Sequence, residues 1–131
     1  MLPMSPLAGK RIVTVEDEGI TQLQLHKTLT LAGLIVVGQA RNGVEGIELI
    51  LREKPDIATM DINMPIMDGL EATRQIMQED GPCVVILTSY NDEEHRDRAV
   101  EVRACGYALK PFSSDGLLLA LEQSYQRHHA C

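Results

Sequence analysis

The chain has 131 residues, 44% of them hydrophobic and 24% charged, with a net charge of -7. That suits one domain with enough apolar residues for a core. No apolar run approaches the ~20 residues of a membrane span, and the acidic balance argues against direct nucleic-acid binding, which wants a basic stripe.

Residues 1–9, with Pro3, Pro6 and Gly9, read as a disordered lead-in to a domain over 10–128. The opening MLPMSPLAGK has no charged region before an apolar stretch. No secretory signal is therefore read, and the chain is expected in the cytoplasm. Five short apolar runs follow: RIVTV (11–15), LIVVG (34–38), DIATM (56–60), CVVIL (83–87) and YAL (107–109). They are nearly continuous in hydrophobicity, as strands buried on both faces of a parallel sheet are. Thr14 and Thr59 are exceptions a strand tolerates.

Helices are predicted between the runs. Asn42 with Glu45, Asp68 with Glu71, and Asn91 with Glu94 have the spacing of capping boxes. Over 92–103, acids come first (Asp92, Glu93, Glu94) and bases later (Arg96, Arg98, Arg103), which complements the helix dipole. The apolar face there is thin, mainly Ala99 and Val102, so this helix is expected to be loosely held. The last helix has a fuller face in Leu117, Leu118, Leu121 and Tyr125, with Ser113 or Ser114 as its cap. Residues 129–131 read as a short tail. Alternating strands and helices imply a parallel sheet with right-handed crossovers and helices on both faces.

The cysteines, Cys83, Cys105 and Cys131, are odd in number and widely spaced, with no CxxC; reduced thiols are expected. His26 and His95 are expected on helix surfaces. His128 and His129 lie near the terminus, and no histidine is assigned to chemistry.

The residues that follow the runs carry the functional signal. Glu16 and Asp17 follow the first, Asp61 the third, Thr88 and Ser89 the fourth, and Lys110 and Pro111 the fifth. In an open parallel sheet, ligands bind beyond the carboxyl ends of the strands. If the first and third strands adjoin, Glu16, Asp17 and Asp61 share one crevice. At ~4 Å and an effective dielectric near 20, each like-charged pair costs roughly 4 kcal/mol, so a positive charge must be shared. Oxygen ligands around an open site suit Mg²⁺. Lys110 adds a second positive charge and Thr88 a hydroxyl donor. A carboxylate nucleophile, a dication, a lysine and a hydroxyl suit phosphoryl transfer onto Asp61, giving an acyl phosphate. Singly, each has an ordinary explanation: an Asp or acidic pair after a strand is often a helix cap, and Lys-Pro is often only a loop. Together, each at its own strand end, they point to a site.

These stretches, VEDE (15–18), MDINMPIMDG (60–69), ILTS (86–89) and GYALKP (106–111), resemble the receiver domains of two-component response regulators. The resemblance covers roughly 10–128. It implies a flavodoxin-like doubly wound (βα)5 three-layer sandwich, with a parallel five-stranded sheet in the order 2-1-3-4-5. It implies Asp61 as phosphoacceptor and Asp17 as direct metal carboxylate. Glu16 would assist directly or through water, and the Asn63 backbone carbonyl would complete a Mg²⁺ or Mn²⁺ site. Lys110 would pair with the acceptor or phosphoryl group, and the Lys110–Pro111 bond would be cis. Thr88 and Tyr107 would form the switch that alters the surface of the fourth helix, fifth strand and fifth helix (92–103, 107–109 and 114–125).

The implied phosphodonor is a sensor histidine kinase or a phosphotransfer protein. Homodimerisation through that same surface is a habit of the family. The implied activity is acceptance and slow loss of a phosphoryl group, without turnover. EGITQLQL (18–25) is similar to receivers joined to RNA-binding antitermination domains, so a fragment of such a transcription regulator is an alternative. Ser89 and Ala108 depart from the commoner residues, and Tyr90 and Asn63 stand where the lifetime of the acyl phosphate is tuned.

Three further readings compete. A degenerate receiver would bind partners without phosphorylation, but every site residue is present. A haloacid-dehalogenase-type phosphatase wants Asp-x-Asp, and Asn63 in Asp61-Ile62-Asn63 cannot protonate a leaving group. A flavodoxin wants a hydroxyl- and glycine-rich phosphate loop, and EDEG has the wrong charge for FMN. GxGxxG is absent, so dinucleotide binding is unsupported.

Overall fold

The computed structural model describes residues 5–130. Five strands alternate with five helices: β1 (Arg11–Val15), α1 (Gly19–Leu31), β2 (Ile35–Ala40), α2 (Gly43–Glu53), β3 (Ile57–Met60), α3 (Gly69–Gln78), β4 (Cys83–Thr88), α4 (Glu93–Glu101), β5 (Gly106–Leu109) and α5 (Ser114–Ala130). The strands form one parallel sheet in the order β2-β1-β3-β4-β5. This is the expected flavodoxin-like architecture. The chain starts on an inner strand, β1, and winds outward first to β2 and then through β3 to β5, so β1 and β3 adjoin where its direction reverses.

Side-chain alternation along the strands splits the interior into two cores. Val13, Val15, Ala58, Met60, Val84 and Ile86 face α2, α3 and α4, meeting Ile50, Leu70, Ile76 and Ala99. Ile12, Ile57, Cys83, Val85 and Leu87 face α1 and α5, meeting Leu25, Leu29, Leu117 and Leu121. The expected burial on both faces holds for β3 and β4. The edge strands β2 and β5 depart from it, and Ile35 on β2 is exposed. An edge strand has a neighbour on one side only, and periodicity cannot tell an edge from a centre.

Two expected caps form: Asn42 accepts from Glu45 N–H at 3.0 Å, and Asp68 from Glu71 N–H at 2.9 Å. The α4 cap shifts by one residue. Asp92, not Asn91, accepts from the His95 N–H at 3.1 Å, and Asn91 Oδ1 accepts from Arg96. Ser113 rather than Ser114 caps α5, accepting from Gly116 N–H at 3.0 Å. As its pattern suggested, α4 buries only Ala99, with Val102 just beyond it partly packed.

Three expectations are corrected. The lead-in is ordered over residues 5–9: Ser5 and Leu7 are buried, Ser5 Oγ donates to Glu122 Oε2 at 2.6 Å, and Ser5 N–H donates to Ala32 O at 3.1 Å. Leu7 drops into the core beside Leu25 and Leu29; one apolar side chain anchors a stretch whose prolines and glycine suggested none. Residues 1–4 lie outside the described residues. The short tail is corrected too, since α5 continues to Ala130. Finally, Cys83 and Cys105 form a disulfide with Cα atoms 5.6 Å apart. Residues distant in sequence meet because β4 and β5 are neighbours, with Val85 opposite Gly106. Cys131 lies outside the described residues.

Candidate functional site

Backbone bonds align the strand tips. Glu16 N–H donates to Ala40 O at 2.9 Å, Asp61 N–H to Val15 O at 3.0 Å, and Lys110 N–H to Thr88 O at 2.9 Å. Glu16, Asp61 and Thr88 are buried as a result. The acidic turn after β1 is held from below by Gln22 of α1. Its Nε2 donates to Ala40 O at 2.9 Å and to Glu16 O at 3.1 Å, while its Oε1 accepts from Thr14 Oγ1 at 2.7 Å. Gly69 opens α3 against the Asp61 backbone, and a Cβ there would stand 1.9 Å from Asp61 O.

Lys110 joins the acids. Its Nζ lies 2.6 Å from Glu16 Oε1, 3.1 Å from Glu18 Oε1 and 3.2 Å from Asp61 Oδ2. Burial pushes the Glu16 carboxyl up to about 7; Lys110 pulls it down and Asp61's charge adds to the rise. For Lys110, burial opposes its charge, but the close ion pair with Glu16 and the Asp61 charge outweigh it and raise its pKa.

Glu16, Glu18 and Asp61 each offer a carboxylate oxygen, all within 4.8 Å of one another. Asp17, expected as the direct ligand, is outside this trio, and Glu18 is in it. The chain bends at Asp17 between β1 and α1, and Glu18 rather than Asp17 comes within reach of Glu16 and Asp61. Hard oxygen donors in a half-open cleft fit a divalent cation of the Mg²⁺ kind. Glu16 Oε1 adds to the fit: it is buried and accepts no well-directed hydrogen bond, although Lys110 stands beside it. Asn63 lies two residues beyond Asp61 on an exposed turn.

Thr88 and Tyr107 meet the same residue rather than each other. Thr88 Oγ1 accepts from Tyr90 N–H at 3.4 Å, and Tyr107 donates its hydroxyl proton to Tyr90 O at 2.7 Å. The Arg96 guanidinium sits 4.8 Å from the Tyr107 ring centroid, and Tyr90 stacks on His95 at 4.1 Å. Burial raises the Tyr107 pKa. The Lys110–Pro111 bond is cis.

Sequence reasoning missed Glu18 and Gln22. The signal for Glu18 was present in three consecutive acids after a strand. Nothing in the pattern marked Gln22, whose role depends on α1 lying against β1 and β2.

A family model of the response regulator receiver domain matches residues 12–122. The transcriptional regulatory protein PdtaR of Mycobacterium tuberculosis is 34% identical over 118 residues, which cover 90% of this chain and 58% of that protein. The chemotaxis protein CheY of Thermotoga maritima is 35% identical over 116 residues, covering 88% of this chain and 97% of that one. The chain thus spans less than two thirds of one relative and nearly all of the other. Among solved structures, a LuxR-family two-component response regulator from Aurantimonas sp. superposes with a TM-score of 0.86 at 30% identity, covering 92% of this chain and 87% of that one. The signal receiver domain of the putative response regulator NarL from Mycobacterium tuberculosis gives 0.86 at 25% identity, covering 91% and 98%.

Proposed function

The chain belongs to the response regulator receiver family, and from that premise we propose that Asp61 accepts a phosphoryl group from phosphohistidine on a sensor kinase or phosphotransfer protein. An Asp61 carboxylate oxygen attacks phosphorus in line. The P–N bond breaks, its electron pair stays on the imidazole, and an acyl phosphate forms. The observation that carries this reading is the buried Glu16–Lys110–Asp61 contact at a strand-order reversal. A partly desolvated lysine beside a carboxylate is placed to meet phosphoryl oxygens.

Glu16, Glu18 and Asp61 would hold Mg²⁺ or Mn²⁺, joined by Asp17 and the Asn63 carbonyl if the turn adjusts. A dication there supplies neutralisation of the incoming phosphoryl charge. Lys110 then exchanges a carboxylate partner for a phosphoryl oxygen, and the Thr88 hydroxyl donates to another. Movement of Thr88 disturbs Tyr90, and through its carbonyl Tyr107, so the surface of α4, β5 and α5 changes. That surface would serve output partners or a second copy of the chain. In this reading the domain is a phosphorylated switch in the cytoplasm rather than a turnover enzyme, and it touches neither nucleic acid nor membrane itself.

The test is intact mass after incubation with Mg²⁺ and acetyl phosphate. One phosphoryl adduct is expected, labile to hydroxylamine and absent from Asp61→Asn. Persistence in Asp61→Asn rejects the acceptor assignment. A folded wild-type chain that gains no adduct is a phosphorylation-independent binding module instead.

A further inference from the structure

The disulfide has a particular place in the sheet. Cys83 is the first residue of β4 and is fully buried, while Cys105, immediately before β5, is the more exposed of the pair. Cys105 N–H donates to Val84 O at 2.8 Å. The bond therefore ties the feet of the two strands whose tips lead to Thr88 and Lys110. Its sequence separation of 22 residues encloses β4 and α4.

This quarter of the fold has few buried apolar anchors outside β4, and polar and ring contacts supply the rest. Within α4 only Ala99 is buried, and Val100 is exposed. A polar tie from Arg103 to the Met77 carbonyl follows the helix. β5 is a four-residue edge strand, half-buried along its length. Segments with little buried apolar area open locally more easily than the rest of a fold. A covalent bond that closes the loop around them restricts that opening.

We propose that Cys83–Cys105 is a redox site, opened by a small dithiol reductant, whose state sets how tightly α4 and β5 are held. A thiolate of the reductant attacks the sulfur of Cys105, the less buried residue of the pair. The S–S bond breaks and Cys83 leaves as a thiolate, which takes up a proton. The second thiol of the reductant then displaces Cys105, giving two protein thiols and an oxidised reductant, with two electrons and two protons transferred. In a reducing compartment a disulfide of this kind acts as a sensor rather than a permanent staple. Its consequence for signalling rests on the phosphoacceptor reading of Asp61; the redox site does not.

The test uses the full chain with Cys131→Ser, so that only this pair is counted. Alkylation under denaturing conditions should add no groups before dithiothreitol and two after it; two groups without reductant overturn the proposal. Hydrogen exchange should speed by at least about tenfold over 93–109 on reduction, with β1 and β3 unchanged. Cys83→Ala should show the fast pattern with or without dithiothreitol. Exchange that is unchanged, or faster uniformly, overturns the local hold. Neither measurement uses a phosphodonor, so failure of the Asp61 reading leaves both results interpretable.

Discussion

Lys110 Nζ stands 2.6 Å from Glu16 Oε1, an oxygen with no well-directed hydrogen bond. One cation serves three acids here, and that is why burial still dominates Glu16 and raises its carboxyl to about 7. The folded pKa is above the unfolded one, so the native state holds an extra proton between pH ~4.5 and ~7. The associated stability is complete at the acid end of that window and is lost as pH rises through about 7. Metal-free protein should lose roughly 1–3 kcal/mol from this group between pH 5 and pH 8. Urea midpoints of wild type and Glu16→Gln check this, since the variant should lack that part of the pH dependence. Because Glu16 must shed its proton to bind a cation, Mg²⁺ affinity should rise over the same range.

Gly69→Ala should be among the most damaging small substitutions. Its Cβ would meet the Asp61 carbonyl oxygen at 1.9 Å, and the obstruction is backbone rather than a flexible side-chain end. A loss of about 2–3 kcal/mol is expected, together with a lower yield of phosphoryl adduct as Asp61 is displaced. Denaturant unfolding and intact mass read the two effects. Normal stability in the variant would sink this account of the α3 start.

Ile66→Gly should stabilise the protein. Ile66 has φ 72° and is 81% exposed, and Met67 N–H bonds back to Pro65 O across it at 2.8 Å. A β-branched residue in the left-handed region costs about 1–2 kcal/mol, and little packing offsets it. Glycine gives back about 0.5–1 kcal/mol through the freer unfolded chain, leaving a net gain of about 0.5–1 kcal/mol. Thermal unfolding should register a rise of a few degrees.

Thr59→Val should also be neutral or stabilising, by up to about 1 kcal/mol. Thr59 Oγ1 is buried and has no hydrogen-bond partner among the described residues. Valine keeps the shape and removes the unpaired hydroxyl. Thr14 gives the contrast: its hydroxyl donates to Gln22 Oε1, so Thr14→Val should destabilise. Opposite signs in one chemical-denaturation series are the expected outcome.

The five strands were legible because apolar runs mark a parallel sheet and polar residues sit at their ends; their order, and with it the meeting of Asp61 with Glu16 and Lys110, was legible only through the resemblance to receiver domains. Asp17 against Glu18 was not legible, since the choice depends on how the chain bends between β1 and α1, which the order of three acids does not encode. Cys83 and Cys105 looked unrelated for a similar reason: their meeting depends on the register of β4 with β5, which spacing does not encode. The Asn91-to-Asp92 shift at α4 shows the limit of capping patterns, because two adjacent acceptors satisfy them almost equally.

The anchoring of Leu7 bears on how this domain is handled at the bench. Trimming the gene to begin at Lys10 would excise a plug from beneath Leu25 and Leu29 and strip Glu122 of its hydroxyl donor. Such a shortened product would melt earlier and tend to clump, for reasons unrelated to its acidic cleft.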